Sequence, residues 1–199
     1  MSTLFDIGRV TEQGAHEILK PHYEKLSKCF INAWGDYITI IEKCASSCVG
    51  FTATTRANIV QNSIIENAKR LFSDVGGVTC YYSNGLFALD FYGKIILRFK
   101  KIDRSLRPHN VRTEQQGQCT MQTLFDNATI VTAGYRVDVT ETSIKDIKVV
   151  CWFNNCLLWQ LPLDAMSSRN VCAPEPSKPT PNTKIVIPNT GLTERAERA

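Results

Sequence analysis

Seven Lys or Arg and a single acid fall within Lys94–Arg112, KIILRFKKIDRSLRPHNVR, while the stretches on either side each carry a slight acidic excess. The formal net charge of +4 therefore originates in this one segment. Arg98, Lys100, Lys101, Arg104, Arg107 and Arg112 form a candidate anion- or nucleic-acid-binding set. Guanidinium groups pair two N–H bonds with two phosphate oxygens and ammonium groups add point charge. Binding through them is dominated by phosphate, falls steeply with salt and carries little base specificity. Steering an acidic partner, or guarding a sheet edge against unwanted pairing, would account for the same charge.

His109 is the histidine inside the basic segment, the other two being His16 and His22. In a metal-independent ribonuclease such a side chain moves the proton as general base or acid, while Arg98, Lys100 or Arg107 stabilises the phosphorane. A histidine in a loop is also commonly inert. Arg104, Arg107, His109 and Arg112 lead into Thr113-Glu114-Gln115-Gln116, a capping box whose free amides and positive helix end favour an anion. Glu114 in that first turn already compensates the helix dipole, so a capped helix behind a solvated basic loop accounts for the same residues.

Asp90 and Lys100 invite comparison with nucleases that place one acid on a strand and an acid-x-Lys on the next. Such enzymes need two carboxylates for a divalent metal. The position two before Lys100 is Arg98, so the second carboxylate is missing, and an Asp90–Lys94 pair across a hairpin explains the acid more simply. Cys44-x3-Cys48 and Cys151-x4-Cys156 lack the two-residue spacing of zinc ribbons, and the eight cysteines (29, 44, 48, 80, 119, 151, 156, 172) lie mostly in apolar runs, as small buried hydrophobes do. No metal and no cofactor is expected. H-E-x-x-H, a P-loop, G-x-G-x-x-G and G-x-S-x-G are absent, which leaves zinc-protease and nucleotide-driven chemistry without sequence support.

The elements that must position these residues follow from periodicity. Apolar residues recur every three or four positions from Val10 to about Cys44, with a kink or restart at Pro21, and again through Ile64, Ile65, Ala68, Leu71, Phe72 and Val75. The second helix is expected to be capped by Thr54 or Thr55 and to stop at Gly76-Gly77. The period then changes to two. Strands are expected at Val78–Ser83, Leu86–Asp90 and Lys94–Lys100, joined by Asn84-Gly85 and a loop Phe91-Tyr92-Gly93 that sets Asp90 opposite Lys94. Phe87, Leu89, Ile95, Leu97 and Phe99 then share the core face, and Ile96, Arg98 and Lys100 the other. A short helix over Glu114–Phe125 precedes strands at Thr129–Val139, Lys145–Phe153 and Cys156–Leu161, with Asn154-Asn155 as a tight turn.

The expectation is an α+β fold: an antiparallel sheet of five to six strands, two amino-terminal helices and one short inserted helix, forming a single domain over residues 1–165. Residues 166–199 are proline-rich and expected to be disordered. Within that tail, the Ile185-Val186-Ile187 island is apolar enough to add a strand to a partner's sheet edge, or to be a chance triplet. No apolar run approaches the length of a membrane span, and the first residues lack the order of a signal peptide. The expected location is cytoplasmic, away from membranes.

LRFKKID at Leu97–Asp103, NVRTEQQ at Asn110–Gln116, AGYRVD at Ala133–Asp138 and W-x-L at Trp159–Leu161 resemble a bacterial and prophage family of small proteins carrying an RFKKLD strand. The resemblance covers about Asn84–Leu163. It implies a place in toxin-antitoxin-like or phage-defence operons that also encode a helix-turn-helix regulator and a zinc metallopeptidase. Those two proteins would be its partners, with nucleic acid contacted through the basic strand and loop. No catalytic residue is carried over. Beside this antiviral-defence reading stand a small metal-independent ribonuclease-like toxin using His109, and a structural adaptor with no activity of its own.

Overall fold

The computed structural model describes residues 9–44, 48, 50–83, 86–108 and 128–163. The expected Asn84-Gly85 turn, the Glu114–Phe125 helix and the tail from residue 166 lie outside the described residues.

Helix α1, Glu12–Leu19, starts where the Thr11 hydroxyl accepts the Gly14 amide at 3.2 Å. Pro21 has no N–H for the ladder, so the chain tightens into one 3₁₀ turn at Lys20–His22 and restarts as α2, Tyr23–Lys43. Helix α3, Ala53–Phe72, is capped by Thr52, ahead of the expected Thr54 or Thr55. The cap must be extended while its side chain bonds inward, and Thr52 has that backbone (φ −68, ψ 162) and accepts the Thr55 amide. The chain leaves α3 through Gly77, whose φ of +78 suits glycine.

Six strands follow: β1 Val78–Ser83, β2 Leu86–Phe91, β3 Ile95–Lys101, β4 Thr129–Val137, β5 Ile144–Phe153 and β6 Cys156–Pro162. They form one sheet in sequence order, antiparallel throughout except between β3 and β4, which run parallel. The α+β architecture expected from the sequence is present, with this parallel pair as its departure from a wholly antiparallel sheet. A parallel neighbour requires the chain to return to the starting end of the previous strand, and the insertion between β3 and β4 is long enough for that.

One expected register is corrected. Asp90 stands opposite Ile96, and Phe91 opposite Ile95, so Asp90 does not face Lys94. Tyr92 and Gly93 both have positive φ (58 and 67), the Lys94 amide bonds Phe91 O at 3.0 Å, and the Asp90 carboxylate accepts the Gly93 amide at 2.9 Å. The turn is therefore one position shorter on the β2 side and one longer on the β3 side. The register shifts by two residues, which preserves the faces because side chains alternate with period two. Asn154 and Asn155, at φ 46 and 62, make the expected tight turn between β5 and β6.

One sheet face packs against α2 and α3. Leu26, Phe30, Ala33, Val60, Ile64 and Phe72 from the helices meet Phe87, Leu89, Leu97, Phe99, Val131 and Val149 from the strands in one apolar core. Phe99 and Phe87, expected to face inward, stack at 6.1 Å. Two smaller apolar clusters lie on the opposite face, one of Ala88, Ile96 and Ala128, the other of Ile102, Leu106 and Val150.

Candidate nucleic-acid interface

The basic segment does not act as one surface. Strand alternation sends Arg98 and Lys100 to the face away from the helices, beside Thr132 and Gly134 of β4. Lys101 goes to the helix side, where its Nζ lies 3.3 Å from Glu141 Oε1, and Glu141 Oε2 also accepts from Arg56 at 2.8 Å. Arg98 and Lys100 are partly buried and each is engaged within the protein. Arg104 and Arg107 lie beyond the strand and are exposed. His109 and Arg112 fall outside the described residues, as does the Thr113 capping box.

The loop that follows β3 is built rather than loose. Ile102 N–H donates to Tyr135 O at 3.0 Å, and Ile102 and Pro108 form an isolated bridge. Asp103 closes the loop between them: its amide donates to Arg107 O at 2.9 Å, and its carboxylate accepts the Arg107 amide at 2.9 Å. Leu106 takes a left-handed φ of 63 and turns its side chain onto Val150 and Trp152. The Trp152 indole N–H then donates to Leu106 O at 2.8 Å, while the Arg107 guanidinium carbon stands 5.1 Å over the Trp152 ring. A cation over an indole face is held by the ring quadrupole and keeps its charge toward solvent.

Trp152 and Lys148 were not among the residues singled out in the sequence. Both sit on the face of Arg98 and Lys100, since Thr132 pairs with Val150 and Gly134 with Lys148. Lys148 Nζ donates to Gln160 Oε1 at 3.0 Å. Period-two alternation through Lys148, Val150 and Trp152 is the signal that could have found them. On the same face Arg136 and Asp146 form a paired ion bridge, which holds the Asp146 carboxyl below the usual carboxylate range chiefly through that hydrogen bond. The two runs LRFKKID and AGYRVD are direct neighbours in the sheet, Lys100 beside Gly134 and Lys101 beside Tyr135.

Among the described residues, no three His, Cys, Asp or Glu side chains gather as a metal site. Cys151 is buried, and burial pushes its thiol up to about 11; Cys156 and Cys44 are exposed. No helix of the described residues is long and apolar enough to cross a membrane. Comparison with protein-family models, with curated proteins and with solved structures finds no match to this chain.

Proposed function

We propose that this protein acts by binding, as a subunit of a bacterial antiviral-defence or toxin-antitoxin-like operon, and that its basic loop contacts nucleic-acid phosphates. Its protein partners in that reading are the helix-turn-helix regulator and the zinc metallopeptidase that the sequence resemblance implies. The observation that carries the binding role is the anchored loop: Trp152 holds Leu106 O by its indole N–H and carries Arg107 on its ring, while Arg104 and Arg107 stay exposed. A loop already fixed in shape loses little conformational entropy when it docks. Its two guanidinium groups suit phosphate oxygens.

The test is retention on single-stranded RNA across a salt series, with Arg104→Glu/Arg107→Glu beside the wild type. Losing two phosphate contacts should reduce the slope of log K against log salt by about 1.4. An unchanged slope removes the loop from the interface, and retention only of an acidic protein partner would make that partner the target. Expression of the chain alone should leave cellular RNA intact. RNA breakdown that His109→Ala abolishes would replace this reading with a ribonuclease.

A further inference from the structure

On the helix side of the sheet, away from the basic loop, Glu141 has a left-handed φ of 55, a conformation costly for a residue with a Cβ. Asp138 builds the turn that imposes it. Its carboxylate accepts the Thr142 amide at 2.8 Å and the hydroxyls of Thr140, Thr142 and Ser143 at 2.9 to 3.2 Å. Trp34 ties the same turn to α2, its indole N–H donating to Thr142 O at 3.2 Å. The backbone of Glu141 is thus fixed, and its side chain is the free variable.

That side chain reaches Arg56 and Lys101, two cations with no other acid in their ion pairs among the described residues. Arg56 stands in the first turn of α3, which holds no acidic residue, so the two side-chain cations share one carboxylate. Trp34, Tyr37, Val60, Tyr135 and Val137 wall the space beside them, a cavity of about 20 Å³, enough for about one water while Glu141 is in place. Burial, with Glu141 and Tyr37 close by, pushes the Tyr135 hydroxyl up to about 12, so it stays protonated at neutral pH.

We propose that Arg56 and Lys101 form a carboxylate-binding site that Glu141 fills in cis, and that a carboxylate borne on an aromatic body displaces it. The resident group defines the ligand's charged end, because the geometry already satisfies a carboxylate's two oxygens with two different cations. The walls define the other end. Trp34 and Tyr37 rings lie 5.3 Å apart, and an aromatic body gains contact with them that a bare carboxylate does not. Glu141 acts as an internal competitor, reducing apparent affinity to the intrinsic value multiplied by the fraction of time its side chain is elsewhere. A clamp between α3 and the β4–β5 turn is the plain alternative, and it makes no provision for a ligand.

Benzoate is the probe, with acetate as the bare carboxylate, titrated into the full chain at low ionic strength and followed by calorimetry. Glu141→Gln keeps the side-chain volume but removes the negative charge that pairs with both cations, and should bind benzoate at least about tenfold more tightly than the wild type, as expected if Glu141 occupies the site about nine-tenths of the time. Arg56→Gln in that background should abolish the gain, and acetate should bind more weakly than benzoate. Equal benzoate affinity in wild type and Glu141→Gln, or binding that survives Arg56→Gln, overturns the site; equal affinity for acetate overturns the aromatic part. If Glu141→Gln does not fold, Glu141→Asp, whose shorter reach withdraws the carboxylate, gives the same comparison with the same expected direction.

Discussion

Gly134 lies directly beneath Ile102, so close that a Cβ at Gly134 would stand 2.3 Å from Ile102 Cγ2. Ile102 is buried, bonds Tyr135 O through its amide, and packs with Leu106 on Val150. The glycine is the floor on which the basic loop turns back over the sheet. Gly134→Ala forces a buried, β-branched side chain aside and is expected to cost about 2 kcal/mol. In a thermal melt that is a fall of about 4–8 °C for a chain of this size, and an unchanged melting temperature would show that the loop does not rest there.

Trp152 separates shape from charge in the proposed interface. Trp152→Phe keeps a ring under Arg107 but leaves Leu106 O without its donor, at a cost of about 1 kcal/mol. Trp152→Ala removes the ring as well and leaves the net charge unaltered. It should therefore elute from heparin at lower salt than the wild type, because the same two arginines are no longer held in position. Coincident elution would mean that charge alone sets retention.

Much of this arrangement could be read from the residues in order. The helices follow from 3.6-residue spacing, Pro21 from its missing donor, and the β5–β6 turn from two asparagines that tolerate positive φ. Faces survived the register error at Asp90 because a shift of two leaves alternation intact. What could not be read was non-local. Nothing near Lys101 announces that β4 runs parallel beside it, and nothing near Glu141 announces Arg56, 85 positions away. Charge counted along the chain groups Lys100 with Lys101, whereas the pleat sends them to opposite sides of the sheet. Trp152 in an alternating strand reads as core on either face, and only the fold brings Arg107 over it.

The β2–β3 turn gives a direct test of the observed register. Asp90 accepts the Gly93 amide and faces Ile96, so Asp90→Ala should destabilise the protein by about 1 kcal/mol while Asp90→Asn, which retains an acceptor, costs less. Lys94→Ala should be nearly neutral. A double-mutant cycle over Asp90 and Lys94 is expected to show no coupling, and a coupling energy of about 0.5 kcal/mol or more would restore the cross-strand pair.

His22 makes stability depend on pH in a direction that can be worked out. It is 6% exposed, lies 5.2 Å from the Phe91 ring and 6.0 Å from the Phe72 ring, and its Nε2 has no hydrogen-bond partner among the described residues. Burial first, and then the nearby Lys25 charge, hold its pKa below the ordinary 6.5. The folded protein thus keeps the imidazole neutral where the unfolded chain takes up a proton. As pH falls through about 6.5 the unfolded state binds more protons than the folded one, so stability declines, and the decline ends only below the folded pKa. Above about pH 7.5 the group is neutral in both states and contributes no slope. Urea unfolding at intervals from pH 8 to 5.5, above the range where carboxylates titrate, should show this fall in the wild type. His22→Phe places a ring of similar shape among Phe72 and Phe91 and should flatten the curve, so the difference in stability between the two proteins should shift toward the variant as pH drops. Parallel curves would mean that His22 binds its proton equally well folded and unfolded.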